Sequence, residues 1–130
     1  RAQPRLIDRY GVFLDPPAGP EFSLPVVTGI SEYMSLPNRL QCIVLFESLM
    51  ADLDSKEPRY SSFVSEADVS DPQNARVTTL HEGDVIELRM GRRLFRHRWE
   101  VFLRYIETWK KQYGRVNSVD LRYRGQVAVR

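Results

Sequence analysis

The sequence is poor in the residues that build disulfides, metal sites and membrane spans. It has one cysteine, Cys42, and two histidines among 130 residues. A single cysteine excludes an internal disulfide and any zinc site made of several cysteines, and we expect Cys42 to be a small, buried, apolar side chain. No run of about 18 apolar residues is present, so we expect no segment of this chain to cross a membrane.

The sequence also lacks the short motifs that mark common catalytic and cofactor sites. It contains no P-loop, no GxGxxG fingerprint and no GxSxG nucleophile motif. His81 and His97 stand in no metal-ligand spacing, and His97 lies among arginines that would repel a cation. The sequence therefore predicts no catalytic residue, no cofactor and no metal site, and we expect a protein that is not an enzyme.

The composition predicts a single folded domain over residues 1–130. Apolar residues make up 42% of the chain and charged residues 28%, which argues against disorder. The net charge of +2 hides an asymmetry, because residues 1–75 hold 6 basic and 11 acidic side chains whereas residues 76–130 hold 13 and 6. Such a basic half indicates a surface for acidic partners, nucleic acid or anionic lipid, or attraction between the two halves of one fold.

The first half of the sequence predicts short strands followed by one buried helix. Residues 6–14 read as a hairpin with Gly11 at its bend, and the adjacent prolines of 15–20 predict a loop. Residues 24–27 have the pattern of an edge strand that contains a proline. From 37 to 54, apolar side chains recur at spacings of three and four residues, which predicts a helix with a broad buried face.

The second half predicts an antiparallel meander followed by a second helix. Residues 63–90 alternate in polarity and carry turn residues at 71–74 and 82–83. After Gly91 an apolar stripe continues at spacings of three and four residues and ends at Gly114, a natural helix stop. The sequence therefore predicts three strands and an amphipathic helix in this half.

The charged side chains of the second helix fall into two groups. Glu100–Arg104 and Glu107–Lys111 are spaced to form i,i+4 ion pairs. The run 89–98 contains five arginines with aromatic residues interleaved, a composition that single-strand nucleic-acid binders also use. Because the aromatic residues belong to the apolar stripe, nucleic-acid binding stays the weaker alternative to a basic surface for a protein. The residues of that surface are Arg92, Arg93 and Arg96.

The sequence ends in two stretches, 119–123 and 127–130, that predict a terminal hairpin. Strands follow strands through short turns, so we expect an α+β domain with a mostly antiparallel sheet and two main helices packed on one of its faces. The last strand would lie at an edge, where it either closes the sheet or accepts an extended segment of another chain. Basic neighbours of this strand (Arg122, Arg124 and Arg130) would favour an acidic peptide.

The order of several short motifs resembles the β domain of the bacterial cell-division family FtsQ/DivIB. The tail SVDLRYRGQVAVR at 118–130 is similar to that family's closing hairpin, and RLIDRYGVFLD at 5–15 is similar to its entry hairpin. LPVVTG at 24–29 resembles its short proline-bearing strand, and VSEADVSDPQNARV at 64–77 resembles its central strand and turn. These motifs cover essentially the whole chain in the expected order.

The resemblance implies a non-enzymatic scaffold of the divisome that acts in septation. It implies one transmembrane helix and a POTRA domain upstream of Arg1, an inner-membrane anchor, and this domain in the periplasm. It also implies FtsB-like and FtsL-like bitopic partners, docked by strand addition along the last strand. Carried over by position, the partner-binding residues are Arg122, Tyr123, Gly125, Val127 and Val129. The alternative is a POTRA-associated domain of an envelope transport protein that binds client strands.

Overall fold

The computed structural model describes residues 6–7, 10–14, 26–123 and 127–130. In these ranges the helices are α1 (Leu36–Leu53) and α2 (Phe95–Tyr113), and a 3₁₀ turn spans Tyr60–Phe63. The strands are β1 (Leu6–Ile7), β2 (Phe13–Leu14), β3 (Val26–Thr28), β4 (Val64–Asp68), β5 (Ala75–His81), β6 (Asp84–Gly91), β7 (Ser118–Asp120) and β8 (Ala128–Val129). Both predicted helices are confirmed, and α1 lies within one residue of its predicted bounds.

Six strands form one mixed sheet in the order β3-β4-β5-β6-β7-β8, and β1 pairs with β2 in a separate ribbon. The pairs β4–β5, β5–β6 and β7–β8 are antiparallel, whereas β3–β4 and β6–β7 are parallel. The chain passes through α1 between β3 and β4 and through α2 between β6 and β7, and such helical crossovers join parallel strands. The α+β class is confirmed, and the expectation of a mostly antiparallel sheet is roughly right, with two neighbouring pairs parallel because they are joined through helices.

Side chains from both helices and from the sheet form one hydrophobic core. Trp99, Phe102 and Ile106 of α2 are almost fully buried, as are Leu49 and Leu53 of α1. They pack in one cluster with residues of the strands. The strand residues of this cluster are Val64, Ala67, Ala75, Val77, Ile86, Leu88, Met90 and Val119. Burial of this apolar surface holds the two helices and the sheet together.

A bulge in β4 changes the alternation that the sequence predicts. The pairing register of β4 with β5 shifts between Val64 and Glu66. As a result Val64 and Ala67 are both buried, whereas Phe63, expected on the same face as Ala67, lies in the 3₁₀ turn and is exposed. An extra residue on one strand reverses the phase of its side chains, which a period-two pattern cannot anticipate.

The single cysteine has the environment that the sequence predicts. Cys42 lies on the inner face of α1 and is buried in the core. Burial raises the pKa of its thiol above the ordinary value, which disfavours the thiolate. Cys42 is therefore a packing residue in this fold.

The start of α2 is fastened to the end of α1 by hydrogen bonds in both directions. The carboxylate of Asp52 accepts a hydrogen bond from the backbone N–H of Arg96 at 3.1 Å. In return, Nη1 of Arg96 donates to three carbonyl oxygens, those of Leu53 at 2.7 Å, Lys56 at 2.9 Å and Pro58 at 3.0 Å. The Arg96 guanidinium also lies over the ring of Tyr60, 4.4 Å from its centroid. This buried arginine therefore holds the loop that follows α1 against the start of α2.

Replacing Arg96 with Met should destabilise the domain, because three carbonyl oxygens, one of them fully buried, would lose their donor while the apolar stem remains. We expect the free energy of unfolding, measured in urea, to fall by about 2–4 kcal/mol. Arg104→Met on the exposed face of the same helix is the matched control and should change it by less than about 0.5 kcal/mol. Equal effects of the two substitutions would contradict the structural role of Arg96.

Candidate partner-binding edge

The strand β8 is the last strand of the six-stranded sheet. It pairs with β7 through Val119 opposite Val129 and Asp120 opposite Ala128. Among the residues that the structure describes, no strand pairs with the other side of β8. The C-terminal edge of the sheet, formed by 127–130, therefore has one row of backbone groups without a strand partner in this part of the chain.

The hydrogen bonds to β7 determine which backbone groups of β8 face outward. The N–H of Arg130 donates to the carbonyl of Ser118 at 2.8 Å, and the N–H of Ser118 donates back to the carbonyl of Arg130 at 2.9 Å. Such doubly bonded pairs alternate along an antiparallel ladder, so Val129, opposite Val119, directs its N–H and C=O away from β7. By the same alternation Val127 does so too. These two valines offer the donors and acceptors that an added strand uses.

The side chains of the same two valines lie on the helix side of the sheet. Val119 is fully buried in the core, and residues opposite one another in an antiparallel pair share a face. Val129 accordingly packs against the hydrophobic core, and Val127 is 40% exposed. The apolar side chains of this edge therefore continue from the core at Val129 to the surface at Val127.

Arg98 ties the first turn of α2 to the ends of β6 and β7. Its Nη1 donates to the carbonyl of Met90, and its Nη2 donates to the carbonyl of Arg122 at 3.0 Å. Gly91 has a φ of +70°, and a Cβ at this position would lie 2.5 Å from Nη1 of Arg98. Glycine therefore leaves the space that the guanidinium occupies, and α2 determines where the chain leaves β7.

Apolar side chains line the side of α2 that carries Arg98. Val101, Tyr105 and Trp109 follow Arg98 at spacings of three and four residues, so all four lie on one side of the helix. Val101 and Trp109 pack against the core, whereas Tyr105 is 43% exposed. The Tyr105 and Trp109 ring centroids are 5.9 Å apart. On the side that carries Arg98, α2 thus presents apolar surface that remains partly open.

The charge of Arg122 is compensated within its own turn. Its Nε and Nη2 donate to the two carboxylate oxygens of Asp120 at 2.9 and 2.7 Å. These hydrogen bonds hold the pKa of Asp120 below its usual range and raise the pKa of Arg122. The Arg122 guanidinium also lies 5.2 Å from the ring centroid of Tyr123, which is 59% exposed. Tyr123 therefore presents its ring to solvent, whereas Arg122 is already paired.

The five arginines of the predicted basic run do not form one surface. Arg96 is buried against the loop after α1, so its assignment to an exposed basic surface is corrected. Arg98 binds two backbone carbonyls, and Arg89 pairs with a neighbouring glutamate at 3.7 Å. Arg92 and Arg93 are exposed and have no ion pair or hydrogen bond to any described residue. Only two of the five arginines in the run, Arg92 and Arg93, therefore remain available to bind nucleic acid.

Gly125 lies outside the described residues, together with its neighbours at 124 and 126. Its assignment to the partner site stays a prediction.

One group of potential metal ligands occurs in the described part of the chain. The ligand atoms of His81, Glu82 and Glu107 all lie within 4.8 Å of one another. Nζ of Lys110 stands 3.1 Å from the Glu82 carboxylate and holds the pKa of Glu82 below its usual range. An ammonium group is therefore the cation at this position, where it joins the β5–β6 turn to α2. The sequence did not reveal the group because Glu107 lies far from the two others along the chain.

The fold and its edge define a class, namely small α+β domains in which a mixed sheet ends in an edge strand. The sequence matches the family described as "Cell division protein FtsQ/DivIB, C-terminal" over residues 2–122. It is also 32% identical over 125 residues to the cell division protein FtsQ of Koribacter versatilis, which covers 95% of this chain. The chain belongs to the FtsQ/DivIB family of cell division proteins. The resemblance drawn from the sequence motifs is confirmed.

The match covers part of a longer protein and stops short of the last strand. The chain spans 36% of the length of the Koribacter relative. The family match ends at residue 122, so Tyr123 and β8 lie beyond it. Across the described ranges, neither α1 nor α2 combines the length and the apolar character that crossing a bilayer requires, and no other helix does.

Sequence reasoning missed three side chains that shape this edge. Arg98 was one arginine in a run, and its two carbonyl partners are identified only once β6 and β7 are neighbours. Trp109 belongs to the predicted apolar stripe, which is correct for its packing but leaves out its tilted ring contact with Tyr105. The spacing of four residues between Tyr105 and Trp109 was a usable signal for a shared helix side.

Replacing Asp120 with Asn should weaken the domain in a pH-dependent way. The folded pKa of Asp120 lies below its unfolded value of about 3.9, so its stabilisation is present above that pH and is lost as the pH falls through the folded pKa. We expect Asp120→Asn to lower the free energy of unfolding by about 1 kcal/mol at pH 7 and by progressively less below about pH 4. Urea unfolding across this range tests it, and a difference that does not change with pH would contradict it.

Two glycine substitutions should separate the role of Gly91 from the general cost of a positive φ. Gly83 has a φ of +86° and open space where a Cβ would stand, so Gly83→Ala should cost about 1 kcal/mol of unfolding free energy. Gly91→Ala should cost about 1–2 kcal/mol more, because the methyl group displaces Arg98. Amide exchange at Leu121 and Arg130 should accelerate in Gly91→Ala only; equal behaviour of the two variants would refute the clamp.

Proposed function

We propose that this chain is the extracytoplasmic C-terminal domain of a division scaffold and that it binds an FtsB-like or FtsL-like partner by strand addition at β8. The observation that carries the proposal is the outward direction of the Val129 N–H and C=O, with Val127 repeating it one pair along. An extended partner segment next to β8 would satisfy these groups and continue the sheet. The role of the domain is then to bind and position other proteins, with no catalytic step.

The apolar surface beside the edge would supply contacts beyond the backbone. Alternate side chains of an added strand fall on the helix side of the sheet, where the rings of Tyr105 and Trp109 are in tilted contact. Val127 and Tyr123 are partly exposed on the domain's own terminal segment. A partner segment with apolar residues at alternate positions fits this surface best, because aromatic anchors contribute strongly at interfaces.

The charge preference of the edge rests on fewer residues than the sequence suggested. Arg122 is already paired with Asp120, so an acidic partner would gain little from it. Arg92 and Arg93 are exposed at the same end of the sheet, since a Cβ at Gly91 would lie 3.6 Å from Cγ of Arg122. These two arginines are the groups that would favour carboxylates in the partner.

The proposal extends to the whole protein through its family. A single-pass anchor in the inner membrane and an upstream POTRA domain would place this domain in the periplasm, where bitopic division proteins expose their outer segments. Membership in a cell-division family does not favour an envelope transport protein, and the dispersed arginines do not favour nucleic acid. The division scaffold is therefore the function that we propose.

Replacing Val129 with Pro should abolish most of the binding to the membrane-distal segment of an FtsB-like partner. Proline removes the outward N–H of Val129, which makes no bond to β7, so the domain itself should stay folded. We expect the dissociation constant, measured by calorimetric titration, to rise at least about tenfold, which corresponds to about 1.4 kcal/mol.

Val129→Ala is the matched control, because it keeps the N–H and shortens only the side chain. It should weaken binding less than Val129→Pro does. Unchanged affinity of Val129→Pro, with its fold verified by amide exchange, would rule out strand addition at this edge. Such a result would leave the family membership intact.

A further inference from the structure

The glutamates of α2 do not pair with the basic residues that follow them by four positions. Glu100 accepts a hydrogen bond from the Tyr60 hydroxyl at 3.3 Å and lies 3.9 Å from Nε of Arg96. Glu107 lies 3.3 Å from the imidazole of His81. Both carboxylates thus interact with neighbouring parts of the fold. The predicted pairs Glu100–Arg104 and Glu107–Lys111 are wrong, because tertiary partners compete for the same carboxylates.

This arrangement leaves a line of basic side chains on the outer face of α2. His97, Arg104 and Lys111 are all exposed and stand seven residues apart. Seven residues are close to two helical turns, so these side chains follow one another along the axis at intervals of about 10 Å. Within the described residues, none of these three side chains forms an ion pair or a hydrogen bond. We refer to these three residues as the basic line.

Lys110, which precedes Lys111 on the same helix, forms ion pairs with carboxylates of the fold. Nζ of Lys110 lies 3.1 Å from Glu82 and 3.8 Å from Asp84. Those bonds raise the pKa of Lys110. Lys110 points towards the β5–β6 turn, whereas Lys111, one position further, faces solvent. The basic line therefore consists of side chains of α2 that form no ion pair with another described residue.

Apolar side chains flank the basic line on both sides. Leu103 is 41% exposed and Tyr105 is 43% exposed. From Arg104, each is one position away along the chain and therefore about 100° around the helix axis, in opposite directions. A partner lying along the line would contact basic side chains at its centre and apolar surface at its margins. Charge thus lies at the centre of this face, the reverse of a coiled-coil seam, in which apolar residues are central and charges flank them.

The basic line is separate from the edge at β8. The side of α2 that faces β7 and β8 is marked by Arg98, which donates to the carbonyl of Arg122. Arg104 follows Arg98 by six residues and therefore lies about 120° away around the helix axis. A strand added to β8 would leave this outer face uncovered. The two surfaces can be occupied together.

We propose that the outer face of α2 docks a helix of a second partner that carries carboxylates at seven-residue spacing. Charge complementarity argues for an acidic occupant, and the single-file arrangement argues for an elongated one. A broad anionic surface, such as a membrane, or a flexible polyanion would also meet the carboxylates of Glu100 and Glu107, which stand beside the line. A helix with one row of carboxylates matches the line and avoids that repulsion. The proposal does not depend on strand addition at β8.

The test is an NMR titration of this chain with two synthetic helical peptides of equal composition. One carries glutamate at every seventh position and the other at every fifth position, which winds the charges around the helix. The first peptide should shift the amide signals of residues 97–111 and bind at least about fivefold more tightly than the second. Exposed ion pairs are individually weak, so the titration extends to millimolar peptide at low salt.

Charge reversal supplies the control on the protein side. Arg104→Glu with Lys111→Glu should weaken binding of the first peptide at least about tenfold. Lys56→Glu with Arg59→Glu changes the net charge equally on exposed side chains of the loop after α1, outside the basic line, and should leave binding unchanged. Equal binding of both peptides, equal loss in both variants, tighter binding to anionic lipid vesicles or heparin, or no binding at low salt would each overturn the proposal.

Discussion

The structure depends on the way the first turn of α2 is held by two arginines. Arg96 reaches back under the end of α1 and donates to three carbonyl oxygens, while Asp52 of α1 caps the N–H of Arg96. Two residues later, Arg98 donates to carbonyls at the ends of β6 and β7. The first turn of α2 is thus bonded to α1 through Arg96 and to the sheet through Arg98. Because the Arg96 guanidinium is buried, it would be costly without the three carbonyl oxygens that accept from it, so this contact tolerates little displacement.

The helical crossovers explain why the edge strand lies where it does. The crossover through α1 makes β3 parallel to β4, and the crossover through α2 makes β6 parallel to β7. The chain then places β7 beside β6 and β8 beside β7, so β8 is the last strand of the sheet. Arg98 then fixes the exit from β7, and the pairing of Ser118 with Arg130 directs the free groups of Val129 outward. The proposed partner site is therefore a consequence of α2 packing.

Much of the fold could be predicted because its signals are local. Both helices were evident from spacings of three and four, and the β4–β6 meander from alternation and turn residues, since burial on one face imposes these periods. The family could also be recognised, because its motifs recur in order along the chain. The bulge that turns Phe63 outward and the two parallel pairs could not be predicted in this way. They depend on which strands become neighbours, and periodicity carries no such information.

By itself the sequence determined the class of fold, the two helices, the burial of Cys42 and the family. It also showed that positive charge accumulates after residue 75. Only the tertiary structure decided what each charge does: Arg96 is buried, Arg98 is a clamp, Arg122 is paired with Asp120, and the line through Arg104 and Lys111 stays free. The physical reason is that a charged side chain takes the partner that folding brings within a few ångströms, and the order of residues along the chain does not specify that partner.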